Sequence, residues 1–190
     1  MSSDPLHVAV ITGSTREGRF GPTVSSWFLQ QAARRDDLTV DAIDLGETRL
    51  PDALSSEPTP EVAAVSPRLA AADAFVVVTP EYNHSFPASL KSAIDWHYTE
   101  WLAKPVGFVS YGGIAGGLRA VEQLRQVFAE LHAVTLRDTV SFHAAGELFD
   151  EAGGLRQPDA PAVAAKVLLD RLVWWGCALR HARTVQPYAV

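Results

Sequence analysis

The sequence predicts a five-stranded, doubly wound parallel α/β sheet in three layers, built as a single domain over residues 1–190. Three observations carry this expectation. Short β-branched apolar runs alternate with stretches of helical periodicity five times along the chain. The third run, residues 74–79, is almost uninterruptedly apolar, as in a strand covered on both faces. The loops after the first, third and fourth strands are rich in Gly and Pro and polar side chains. In a doubly wound sheet such loops converge at the carboxyl ends of the strands, where ligands bind.

The elements follow in order. Residues 6–12 form the first strand, ending at Gly13, and a polar loop runs to Gly21. Pro22 opens a helix to residue 35, because Pro in the first turn sacrifices no helical hydrogen bond. Residues 38–45 read as a weaker second strand, with Val40, Ala42, Ile43 and Leu45 on its apolar side. A Pro/Ser/Glu-rich loop (51–60) and an Ala-rich helix (61–72) precede the third strand. After the loop 80–87, residues 88–101 read as one helix whose stripe Leu90, Ala93, Ile94, His97 and Trp101 faces the sheet. Trp96 points away from that stripe and is expected to anchor a subunit interface rather than lie under a loop of its own chain. Residues 105–111 are the fourth strand and 112–117 a Gly-rich loop. Leu118, Val121, Leu124, Phe128 and Leu131 recur at helical spacing, and residues 134–142 are the last strand. Residues 160–181 close the fold as a helix with Ala164, Val167, Leu168, Trp174 and Ala178 on one side.

Composition narrows the function classes. Apolar residues are 47% and charged residues 20%, ordinary for a globular chain with a sizeable core. The net charge is −6 with no Lys/Arg run, which argues against nucleic acid as a partner. No apolar run is long enough to span a bilayer, and the first five residues lack the features of a signal peptide. Cys177 is the only cysteine, so no intrachain disulfide or cysteine-based metal site is expected, and a cytoplasmic location fits.

Three loops hold the candidate chemistry. The first, residues 12–22, leaves a strand and enters a helix, where backbone N–H groups make an anion site. Ser14 and Thr15 add hydroxyls, and Arg16 and Arg19 add guanidinium groups suited to phosphate. The alternative is a solvated turn. Neither a P-loop nor a G-x-G-x-x-G spacing is present. The second loop offers Tyr82 and Phe86 as walls for a flat ring and Asn83 as a donor. The third, from Tyr111 through Gly112 and Gly113 to Gly117, exposes backbone at close range. The six histidines have no zincin spacing, so no metal is expected. His97 reads as a core or interface histidine, and His84 at most as a substrate contact. No Ser/His/Asp or Cys/His arrangement supports hydrolysis.

The run from Gly13 to Arg16, the long motif P-E-Y-N-H-S-F-P-A-S-L-K-S-A-I-D-W (80–96) and the stretch from Lys104 to Gly113 resemble the NADPH-dependent FMN reductase family over about residues 8–142. The resemblance implies a flavodoxin-like fold, noncovalent FMN and hydride supplied by NADPH. The acceptor would be a quinone, an azo compound, a metal oxyanion or free flavin. It implies that Ser14, Arg16 and the Arg19-Phe20-Gly21 turn hold the FMN phosphate. Pro80, Glu81, Tyr82 and Asn83 would border the ring, with Tyr111, Gly112 and Gly113 at its far edge. Some relatives carry Ser and Asn where this chain has Arg19 and Gly21. Members of the family are usually homodimers or homotetramers.

The flavin carries the hydride chemistry in such an enzyme, so no side chain is assigned as catalytic. Two other readings keep the fold: an FMN-dependent dehydrogenase of a small biosynthetic intermediate, and a flavodoxin-type electron carrier without NADPH activity. The arginines of the first loop and the mild acidity count against the carrier.

Overall fold

A computed structural model describes residues 4–189. Residues 1–3, the start of the segment read above for a leader, and Val190 lie outside it. The chain forms β1 (Leu6–Thr12), α1 (Gly21–Ala32), β2 (Leu38–Asp44), α2 (Pro60–Ala71), β3 (Ala74–Pro80) and α3 (Ala88–Asp95). It continues through β4 (Pro105–Tyr111), α4 (Leu118–Glu130), β5 (Val134–Phe142), α5 (Ala145–Leu148) and α6 (Asp159–Val185). All strand pairs are parallel, in the order β2-β1-β3-β4-β5. The order reverses between β1 and β3, which makes the switch point and its crevice. The expected doubly wound sheet is therefore the observed one.

Alternation along each strand builds a core on both faces. Val8, Val10, Val76 and Val78 meet Val24 and Phe28 of α1 and Leu168 and Leu172 of α6. Ile11, Phe75, Val77 and Phe108 meet Val65 and Leu69 of α2, Leu90 and Ile94 of α3, and Val121 and Leu124 of α4. Each such side chain contributes about 1.5–3 kcal/mol when taken fully from water.

The structure corrects four details. On β2, Ile43 and Leu45 are buried, but Val40 and Ala42 are exposed. This strand is the sheet edge, and the residues aligned with Val8 and Val10 lie beyond the cover of the helices. The helix expected to reach residue 101 stops at Asp95. Side chains reach its last carbonyls: His97 Nδ1 lies 2.7 Å from Ala93 O, and the Trp101 indole donates to Ile94 O at 3.3 Å as well as to His97 O, beyond the helix, at 2.8 Å. The inward stripe survives as turns, with His97 and Trp101 both buried.

Trp96 is half-buried and donates from Nε1 to Pro51 O at 2.8 Å, so it is held by a loop of its own chain. Finally, the buried stripe of α6 is Ala165, Leu168, Leu169, Leu172 and Gly176, whereas Val167, Trp174 and Ala178 are exposed. This helix carries apolar residues on two opposite faces. Gly176 marks the one that docks, because a Cβ there would lie 2.5 Å from a Leu6 methyl.

Candidate functional site

The loops after β1, β3 and β4 come together at the carboxyl end of the sheet. Loop one is tethered at its start by Gly13, whose N–H donates to Val78 O at 2.9 Å. Its carbonyl accepts from Ser89 Oγ of α3 at 2.7 Å. From Ser14 to Phe20, no N–H donates to a backbone carbonyl among the described residues. A row of free donors thus leads into the positive end of α1. Ser14 is fully buried, yet its hydroxyl makes no hydrogen bond of ordinary length. The hydroxyl of Tyr111, which reaches under this loop from the end of β4, likewise makes no hydrogen bond of ordinary length and faces the Ser14 hydroxyl. Both oxygens crowd Gly21: a Cβ there would sit 2.2 Å from Ser14 Oγ and 3.0 Å from Tyr111 OH. Gly21 is required for this close approach.

Arg16 is exposed, and its guanidinium lies 5.6 Å from the centre of the Tyr82 ring, linking loops one and two. Arg19 is placed differently. Its guanidinium donates to Asp44 Oδ1 at 2.5 Å and to Ser14 O at 3.0 Å, and it lies against Gly46. It braces the loop against the end of β2 and is not free for a ligand. Phe20 also turns inward, its ring 6.0 Å from that of Tyr111 and 5.4 Å from that of Phe149.

Loop two makes a tight reversal. Tyr82 and Ser85 exchange both backbone hydrogen bonds, while Asn83 (φ 49°) and His84 (φ 71°) take left-handed conformations at the tip. Asn tolerates this region better than most residues; His pays more for it. Helix α4 holds the loop. Gln123 Nε2 donates to His84 O at 2.8 Å, and Arg119 pairs with Glu81 Oε1 at 3.0 Å. The Arg119 N–H, in the first turn of α4, also points at Glu81 Oε2 (3.3 Å). Pro80 is buried as the last residue of β3, and the Glu81 carboxylate is mostly covered, so neither is an open wall.

Loop three folds against the end of β5. Gly112 N donates to Phe142 O, and Ser110 and Ser141 both donate to Gly116 O. Gly116 and Gly117 have φ of 58° and 84°, and a Cβ on either would strike side chains or backbone within 3 Å. Gly113 faces open space, and Ile114 beside it is 89% exposed.

The structure therefore brings Ser14, Arg16, Gly21, Tyr82, Asn83, Gly112 and Gly113 together at one end of the sheet. Arg19, Phe20, Glu81 and Tyr111 serve as braces, and the Tyr111 ring lies under loop one rather than along an outer edge. Asp44, Arg119 and Gln123 escaped the sequence reading. The signal for Asp44 was an acidic residue at the carboxyl end of a strand; for the other two there was none, since their partners are 38 and 39 residues away.

Residues 6–147 match the family described as NADPH-dependent FMN reductase. The chain belongs to that family. An NAD(P)H-dependent FMN reductase of Schizosaccharomyces pombe is 37% identical over 131 residues, a match covering 63% of this chain and 64% of that protein. A quinone reductase of Pseudomonas putida is 30% identical over 183 residues, covering 91% of this chain and 96% of its own. Among solved structures, the NAD(P)H:acceptor oxidoreductase FerB of Paracoccus denitrificans superposes with a TM-score of 0.71 at 23% identity, over 90% of this chain and 97% of that one. That likeness supports the fold.

The residues present fit the cofactor for which the FMN reductase family is named. A phosphate monoester needs several donors and a positive field; loop one provides the free N–H row, the orphaned Ser14 hydroxyl and Arg16. Burial pushes the Tyr111 phenol up to about 12, so it remains an O–H donor across the neutral range. Arg19 is raised by its hydrogen bond to Asp44, which keeps that brace charged. Among the described residues no group of acidic, His and Cys side chains is arranged to hold a metal ion.

Proposed function

We propose that this protein oxidises NADPH and passes the electrons, through FMN held at the carboxyl ends of β1, β3 and β4, to a quinone, an azo compound, free flavin or a similar small acceptor. The observation that carries this reading is the pair of buried hydroxyls of Ser14 and Tyr111, which face each other beneath Gly21 and make no hydrogen bond of ordinary length, beside a row of free N–H groups. Leaving such groups unpaired costs about 1–3 kcal/mol each, a cost that an anionic ligand relieves. Bound there, FMN supplies the hydride-accepting and two-electron chemistry that none of these side chains has.

The chain's own residues bind and orient. Ser14, the loop-one N–H groups and Arg16 hold the phosphate. Tyr82 and Asn83 border the ring on one side, and the backbone of Gly112 and Gly113 on the other. Glu81 with Arg119, and Arg19 with Asp44, keep these loops at fixed separations. No side chain is needed to take or give a proton, so catalysis is positioning.

We assign the protein to the cytoplasm as a homodimer or homotetramer. No helix among the described residues is long and apolar enough to cross a membrane. The exposed stripe of α6, with Val163, Val167 and Trp174, is an apolar surface for a second copy.

The test is the visible spectrum of purified protein loaded with FMN, followed anaerobically on adding NADPH. Bleaching of the flavin bands is expected; unchanged bands with bound FMN would reject NADPH as donor. Arg16→Ala should weaken FMN about tenfold or more and leave riboflavin nearly unaffected, since one charge-assisted bond is worth about 1.5–3 kcal/mol. Equal losses for both flavins would remove Arg16 from the phosphate.

A further inference from the structure

Beside loop one, on the β2 side, lies a second concavity of about 140 Å³, lined by Thr15, Leu45, Arg49, Leu50 and Ser89. It shares Thr15 with the rim of loop one but none of the loop-two or loop-three residues that border the ring site. Its volume equals several waters at about 30 Å³ each, enough for one phosphoryl group. Leu45 and Leu50 form an apolar floor, and Arg49 is an exposed cation with no ion pair among the described residues. The Ser89 hydroxyl donates to Gly13 O, so it is spent on the loop. The Thr15 hydroxyl is not spent in this way.

The charges around this corner are sorted. Asp44 ends β2 and would repel an anion there, but Arg19 neutralises it at 2.5 Å. Arg19 is thereby removed as a ligand for a second phosphate, and Arg49 is the cation that remains on this side. Glu17 and Glu47 are exposed nearby in sequence and subtract from the field without lining the concavity. In Rossmann dinucleotide sites, whose glycine fingerprint this chain lacks, a nearby arginine meets the adenosine 2′-phosphate of NADPH, and a guanidinium suits that dianion on any fold because it donates charge-assisted hydrogen bonds.

We infer that Arg49, with the Thr15 hydroxyl, binds the 2′-phosphate of NADPH and sets the preference for NADPH over NADH. Leu45 and Leu50 offer the adjoining nucleoside an apolar surface. The inference rests on the NADPH reading above, but its test is separable from that reading.

The experiment titrates adenosine 2′,5′-bisphosphate and adenosine 5′-monophosphate by calorimetry against FMN-loaded wild type, Arg49→Gln and Arg49→Lys. Wild type should prefer the bisphosphate by about tenfold or more, the worth of one charge-assisted contact. Gln should abolish the preference, Lys should restore part of it, and FMN affinity should be unchanged in all three. In steady state, Arg49→Gln should raise KM for NADPH about tenfold with kcat and the NADH parameters little altered. A wild type that binds both nucleotides equally, or an Arg49→Gln variant that keeps the preference, overturns the inference whatever the enzyme oxidises. Bisphosphate preference without NADPH oxidation would uphold the site and reject the oxidoreductase reading.

Discussion

The Arg19 guanidinium lies 2.5 Å from the Asp44 carboxylate, joining the middle of the first loop to the end of the edge strand β2. Both side chains are about four-fifths covered. The pair is a brace whose loss should be felt at the phosphate without either residue touching it. Asp44→Asn should weaken FMN by several-fold while lowering Tm only slightly, and Arg19→Ala should do the same. The double variant should be no worse than either single one, because both remove one interaction. Additive losses in FMN titrations would show instead that Arg19 contacts the ligand itself.

Gly21 allows Ser14 Oγ and Tyr111 OH to converge. Gly21→Ala adds a methyl 2.2 Å from Ser14 Oγ and must push the loop away. FMN affinity should fall at least tenfold. Ser14→Ala removes one orphaned hydroxyl and relieves the apo protein of an unpaired polar group. It should therefore raise apo Tm slightly while weakening FMN. Thermal melts of the apo and loaded forms test both; a Ser14→Ala variant that binds FMN like wild type would remove the hydroxyl from the site.

Assembly through α6 predicts that Trp174→Glu sediments as a smaller species than wild type at micromolar concentration. Trp174 is 62% exposed, so the substitution should leave the fold intact. Trp96→Glu should instead lower Tm, since Trp96 holds Pro51 O. If Trp174→Glu sediments like wild type, α6 is not the interface.

Lys104 caps the end of α2, donating to Ala70 O at 3.0 Å and Leu69 O at 3.2 Å. Burial, and secondarily the Arg183 charge, lower its ammonium from 10.5 to about 8. Between about 8 and 10.5 the unfolded chain holds the proton more strongly than the folded one, so this group's contribution to stability rises with pH across that window. The Tm difference between wild type and Lys104→Met should shift in favour of wild type from pH 8 to 10. A constant difference would mean that Lys104 keeps its ordinary proton affinity in the fold.

By itself, the sequence determined the layered sheet, because alternation, continuous apolar runs and loop chemistry are local signals. β1, β4 and β5 begin and end where those signals change. It also picked out the three loops that the doubly wound topology gathers at one end of the sheet. The tertiary structure decided what each side chain in them does. Arg16 and Arg19 look equivalent in sequence, yet Asp44, 25 residues beyond Arg19, takes one and leaves the other free. The same distinction governs α6. Two apolar stripes on one helix read alike, and only the approach of Leu6 to Gly176 selects the buried one. Periodicity records which residues share a face; which face meets the sheet depends on shape complementarity between segments far apart in the chain.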